Sequence, residues 1–214
     1  ILILSFLYDF NGYNKYSSFW YNFLLIALIC ISGLRYKVGG DTHAYMEFFE
    51  NYPFFSELSL VTFMHSQFDP LWLLVSSISK SIYNDFIFFQ IVHSIFVNLI
   101  IFIFIKKYTV YRFTSVLIYF LFFYIYYNTE IMRESLSISF LLLAYPHLQN
   151  KNWIKYYTLS LIAFLFHSSA IVVFLFPIFS IFKFSVFNLS LISIIMLCIY
   201  FVFSDFPIIF DNLL

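Results

Sequence analysis

Long apolar runs broken by only a few polar residues leave this chain little choice of fold, because a backbone surrounded by hydrocarbon must satisfy its own hydrogen bonds, and helices do so locally. The runs cover residues 19–34, 71–83, 86–105, 113–127, 131–148, 153–166, 169–182 and 186–203. Only 10% of residues are charged and 63% are hydrophobic, against roughly 25% charged in soluble domains. About 20 apolar residues cross the roughly 30 Å hydrocarbon layer, so the chain has room for about seven or eight crossings with short loops. The expected fold is an all-α polytopic membrane bundle, one membrane domain over residues 1–214. Several runs are shorter than a straight crossing, which predicts broken or re-entrant helices lining a cavity.

Composition also closes off some functions. The formal net charge is zero, and no block of like charge forms an arm for nucleic acid. Cys30 and Cys198 sit inside apolar runs without C-x-x-C or His/Cys spacing, so they read as small apolar residues. Residues 1–8, ILILSFLY, are apolar but too short to span. They lack the charged n-region and small-residue cleavage site of a signal peptide. They read as the end of a helix that begins upstream, and the last four residues close no element, so the chain reads as a fragment of a longer one.

Basic residues favour the cytoplasmic side of a membrane. Placing Lys106, Lys107 and Arg112 inside puts Lys15, Lys151, Lys155 and Lys183 with them, and sends Arg35, Lys37, Lys80 and Arg133 outside. Every acid except Asp9 then lies outside as well. The assignment brings Arg35, Asp41, Arg133 and His167 to one side, and requires the helix over 71–83 to start and finish there. Residues 36–70 become an extracytoplasmic loop. Within it Tyr45, Phe48, Phe49 and Tyr52 recur at helical spacing with Glu47 and Glu50 turned away, which predicts an amphipathic helix lying on the bilayer surface.

Chemistry concentrates in three places. The stretch GLRYKVGGDTHAY, residues 33–45, holds three of the four glycines beside Arg35, Lys37, Asp41 and His43. Gly39 and Gly40 read as a tight turn, with Asp41 capping the helix that follows. A second reading has the planar fork of Arg35 hold a phosphate oxygen, since a guanidinium pairs bidentately with phosphate, while Asp41 orients a hydroxyl or Arg35 itself. Arg133 opens an apolar helix, where Glu130 could pair with it; an arginine in a membrane segment is also a functional candidate. Ser135 and Ser139 share a face below it. His167 lies between two short runs, capping a helix break or serving as a base near neutral pH. His43, His65, His93 and His147 carry weaker signals. Asp41, His43 and His65 show no metal-ligand spacing, so no metal and no cofactor are expected.

Three landmarks together resemble the EpsG family, membrane proteins of exopolysaccharide and capsule synthesis related to Wzy-type polymerases. They are Gly33-Leu34-Arg35-Tyr36-Lys37-Val38-Gly39-Gly40-Asp41 with Tyr45 following, Ile131-Met132-Arg133-Glu134-Ser135-Leu136-Ser137, and Ala163-Phe164-Leu165-Phe166-His167-Ser168-Ser169-Ala170. The resemblance implies a multi-pass protein of the plasma or inner membrane, similar to lipid-linked glycosyltransferases of the GT-C type. It implies joining of polyprenyl-diphosphate-linked oligosaccharide units at the outer face by an inverting, metal-independent transfer, alongside a flippase and a chain-length regulator. Carried over by position, Arg35 and Arg133 would hold the diphosphate, with Gly39, Gly40, Tyr45 and Ser168 around the substrate. Asp41 or His167 would be the base or position the acceptor. The chain departs from the family in Glu134, where Gln is expected, and in Ser137, where Ala is usual.

A transporter or flippase of a lipid-linked saccharide would use the same arginines, although no inverted repeat is visible. The same apolar pattern would also suit a non-catalytic membrane subunit of a polysaccharide export system, or an acyl-transfer enzyme.

Overall fold

In a computed structural model, which describes residues 1–181 together with 190, 193 and 194, every regular element among the described residues is helical. They are α1 (Leu2–Ser5), α2 (Ser17–Gly33), α3 (Thr42–Asn51), α4 (Leu60–His65), α5 (Pro70–Ile82), α6 (Phe86–Tyr108), α7 (Arg112–Tyr119), α8 (Ile125–Thr129), α9 (Met132–Gln149), α10 (Trp153–Phe166) and α11 (Phe176–Ile181). A π turn, Phe6–Phe10, extends α1, and another, Phe120–Tyr124, joins α7 to α8. Two 3-10 segments, Phe55–Glu57 and Ser168–Leu175, complete the set. The chain forms two compact units, Ile1–Phe174 and Leu175–Leu214, of which the first holds all the chemistry discussed below. Most of the run expected over 186–203, with Cys198, and Lys183 lie outside the described residues.

Helix α6 is the core of the first unit. Its 23 residues extend about 35 Å at 1.5 Å per residue, and among the described residues it alone is long and apolar enough to cross a membrane by length and composition. Helices α2 and α10 are apolar but shorter, and α9 opens with Arg133 and Glu134 and contains Pro146. The expected count of crossings is therefore not matched helix by helix.

Side-chain contacts fix the helix directions. Helix α2 runs antiparallel to α6: the Tyr21 hydroxyl donates to the Phe102 carbonyl at 2.7 Å, and at the other end Ser32 bonds Ser94. Helix α9 runs parallel to α6, with His93 against Met132, Phe96 against Phe140 and Phe104 against Tyr145. Helix α10 turns back after Asn150-Lys151-Asn152 and stacks Phe166 on Phe140. One end of the bundle thus gathers Lys106, Lys107, Arg112, Lys151 and Lys155, and the other gathers Arg35, Asp41, Glu130, Arg133, Glu134 and His167. In the buried middle, Asn98, Asn128 and Tyr119 bond one another and tie α6 to the α7–α8 run. Interhelical polar contacts of this kind hold apolar bundles that cannot be sorted by hydrophobicity alone.

Helix α3 has the predicted amphipathic pattern, with Tyr45 and Phe49 buried and Glu47 and Glu50 turned away from them. Its apolar face is covered by protein: Phe49 meets Phe86 and Phe89, and Tyr45 meets Trp72. The expected bilayer contact of that face is thereby replaced by contact with α5 and α6. Lys80 of α5 reaches under the end of α3, and its buried ammonium donates to the carbonyls of Phe49, Glu50 and Tyr52 at 3.2, 2.7 and 2.7 Å. A cation there meets the negative end of the α3 dipole. The start of α5 thus lies beside Arg133 and its last turn beneath the end of α3.

Candidate functional site

The turn after α2 is built around Arg35, which is only 9% exposed. Its guanidinium folds back on its own segment, donating to the Ser32 carbonyl at 2.6 Å and to the Val38 carbonyl at 3.2 Å. A third nitrogen lies 3.7 Å from the Met132 sulfur. Burial lowers its pKa to about 10, with Tyr124 and Glu130 acting the other way, so it stays protonated at neutral pH. Gln90 pins the same turn through the carbonyls of Gly33 and Arg35, both at 2.9 Å.

Gly39 and Gly40 follow. The amides of Gly40 and Asp41 donate to the two carboxylate oxygens of Glu130 at 2.7 and 3.1 Å. Successive backbone amides aimed at one carboxylate form an anion nest, and here the chain's own Glu130 fills it. Gly39 has φ +112°, and a Cβ there would sit 2.5 Å from the Thr129 Cβ. Gly39→Ala is therefore expected to destabilise by about 1–3 kcal/mol. Gly12→Ala, also at positive φ but with nothing within 4 Å, should cost less. Melting of the two variants in detergent checks the order, and a larger loss at Gly12 would contradict it.

The second half of the site is a charged cluster where three segments meet. Pro70 starts α5 and leaves Asp69 at its N-cap, with the Asp69 side chain making no cap bond. Arg133 and Glu134 stand in the first turn of α9, and His167 ends α10 in extended conformation. Asp69 Oδ2 lies 3.6 Å from Arg133 Nη1 and 3.6 Å from His167 Nδ1, while Glu134 Oε1 lies 3.2 Å from His167 Nε2. Arg133 also sits over the Phe68 ring, 5.3 Å from its centroid. Arg133 Nε and His167 Nδ1 are buried without a hydrogen-bond partner. An unsatisfied buried donor or acceptor costs about 1–3 kcal/mol, so both atoms are poised to take one. Tyr45 borders the cluster, its hydroxyl donating to the Glu130 carbonyl at 3.2 Å. Burial raises the Tyr45 pKa and Arg133 pulls it back.

This arrangement holds one guanidinium and one imidazole around a single carboxylate. If His167 donates from Nε2 to Glu134, Nδ1 keeps its lone pair for a proton. The two carboxylates face opposite nitrogens of the ring and do not converge on a common point. Among the described residues, no three His, Cys, Asp or Glu side chains are grouped to hold a metal ion.

Of the residues singled out by sequence, the structure brings together Arg133, His167 and Tyr45. Arg35, Gly39, Gly40 and Asp41 lie in the adjoining turn, linked to the cluster through Met132 and Glu130. Asp41 is exposed, as is Ser168 next to His167. Sequence reasoning misses Asp69 and meets Glu134 only as a departure from a motif. The Asp-Pro pair at 69–70 is a visible helix-start signal, but its meeting with Arg133 depends on a contact across more than sixty positions.

With this geometry in view, comparison with known proteins gives one match. The family model described as EpsG family matches residues 18–214. No curated protein and no solved structure matches the chain.

Proposed function

This chain belongs to the EpsG family of exopolysaccharide-related membrane proteins, and on that premise we propose that it polymerises saccharide units carried on a polyprenyl diphosphate. The observation that carries the reading is the Asp69–Arg133–Glu134–His167 cluster at one end of an apolar bundle. On this reading the protein is multi-pass in the plasma or inner membrane, with the cluster at the outer face and a flippase and chain-length regulator working beside it. Supporting the lipid contact, α2 and the α7–α8 run turn exposed apolar side chains outward, including Phe19, Ile26, Leu121, Phe122 and Ile125.

The chemistry is a single displacement. An acceptor sugar hydroxyl attacks the anomeric carbon, the bond from that carbon to the diphosphate oxygen breaks, and the hydroxyl proton passes to His167 Nδ1. Negative charge grows on the departing diphosphate, and Arg133 stabilises it where it develops, without metal. Glu134 fixes the imidazole tautomer and steadies the imidazolium. Asp69 sits against Arg133 and yields that guanidinium to the phosphate, which leaves His167 Nδ1 to the acceptor hydroxyl. Arg35 holds the turn that carries Gly39, Gly40 and Asp41 beside Met132, and Asp41 stands exposed in that turn.

Cells lacking the chain are expected to accumulate single lipid-linked repeat units on the outer face, read by mass spectrometry after labelling with a membrane-impermeant reagent. Accumulation on the cytoplasmic face would instead point to a flippase. His167→Ala should reduce polymer yield by about 10²–10⁴-fold, the usual worth of a general base. Glu134→Gln, which keeps an acceptor but not the charge, should fall between. Normal polymer yield in His167→Ala would exclude the imidazole as base.

A further inference from the structure

Beside the charged cluster, the segment 48–68 and the start of α5 line an open cavity of about 320 Å³, with Phe48, Asn51, Tyr52, His65, Gln67 and Phe68 among its walls. That volume falls at the lower end of the roughly 300–1,000 Å³ typical of small-molecule sites. Its inventory is unusual for this protein's polar end, because no Asp, Glu, Lys or Arg lines it. Phe68 meets Phe48 edge-on at 4.7 Å and Tyr52 at 5.5 Å, so the aromatic wall is rigid. The same Phe68 ring carries Arg133 against it. Wall and guanidinium are therefore neighbours.

The polar groups around the wall are amides, hydroxyls and one imidazole. Gln67 and His65 are exposed, and neither side chain has a hydrogen-bond partner in the described part of the chain. Asn51 donates its amide to the Glu47 carbonyl at 2.9 Å, which leaves its oxygen free to accept. A sugar ring has an apolar C–H face and an edge of hydroxyls that both donate and accept. Aromatic faces match the first, and neutral amides, which offer donor and acceptor together, match the second. A carboxylate entering the same cavity would find no cation on the lining.

We infer that this cavity is a subsite for an uncharged sugar residue, the part of the glycan next to a diphosphate held at Arg133. The inference rests on the proposed function for its ligand but not for its test. The full chain, purified in detergent, is mixed with neutral disaccharides (N,N′-diacetylchitobiose, lactose and cellobiose) and with cellobiouronic acid, and saturation-transfer NMR reads binding. At least one neutral disaccharide is expected to show transfer to its ring C–H protons. The acidic one should bind about tenfold more weakly or not at all. Gln67→Ala, a change at an exposed position, should weaken the neutral signal several-fold, as should Asn51→Ala, with circular dichroism confirming that both variants fold. No transfer to any neutral disaccharide, equal transfer to the acidic one, or an unchanged signal in both variants would overturn the inference. Arg133→Ala separates this from the polymerase reading. Normal polymer from that variant with disaccharide still bound would leave the subsite standing and remove the diphosphate site at Arg133, while lost polymer from it, with no disaccharide bound by wild type, would do the reverse.

Discussion

Arg133→Ala should abolish polymer in a complementation assay, by about 10²–10³-fold or more, the cost of removing one preorganised donor from a site of developing negative charge. The protein should still reach the membrane at normal abundance. The Arg133 side chain is 28% exposed and its ion pair with Asp69 spans 3.6 Å, so it holds little of the fold together. Arg133→Lys keeps the charge but loses the fork, and should recover only part of the yield. Normal polymer length in Arg133→Ala would remove the diphosphate site altogether.

Arg35→Ala should fail for a different reason. That side chain is buried, and its donors bond the Ser32 and Val38 carbonyls. Truncation strands two acceptors and leaves a cavity beside Met132, a loss of about 3 kcal/mol or more. The expected result is a low steady-state level in the membrane and a lowered melting midpoint in detergent. Lysine should rescue it only in part, since an ammonium keeps the charge and can donate to carbonyls but lacks the planar fork whose third nitrogen reaches Met132. A stable, abundant Arg35→Ala protein without polymer would place Arg35 with Arg133 as a ligand for the diphosphate.

Helices are legible in the sequence because their signal is local. The runs at 71–83, 86–105 and 153–166 correspond to α5, α6 and α10 within a few residues, and Asn152 and Asp85 cap two of them through their side chains. The gathering of Arg35, Arg133 and His167 at one end is legible too, since helix direction follows from where the basic residues fall. What stays hidden are the partners. Glu130 fills the glycine nest from about ninety positions away, and Asp69 reaches Arg133 across more than sixty positions from a helix start whose Asp-Pro signal names no partner. The amphipathic period of α3 is visible, but period alone cannot tell a lipid-facing side from one packed on Trp72 and Phe89.

Everything in the proposed chemistry depends on Arg133 and its neighbours forming an anion site for a lipid diphosphate. The most direct test is binding of geranylgeranyl diphosphate, which carries no sugar, to the purified full chain, followed by phosphorus NMR. Wild type should bind, Arg133→Ala should bind about tenfold more weakly or worse, and Gln67→Ala should bind as wild type. Equal binding by wild type and Arg133→Ala would contradict the claim.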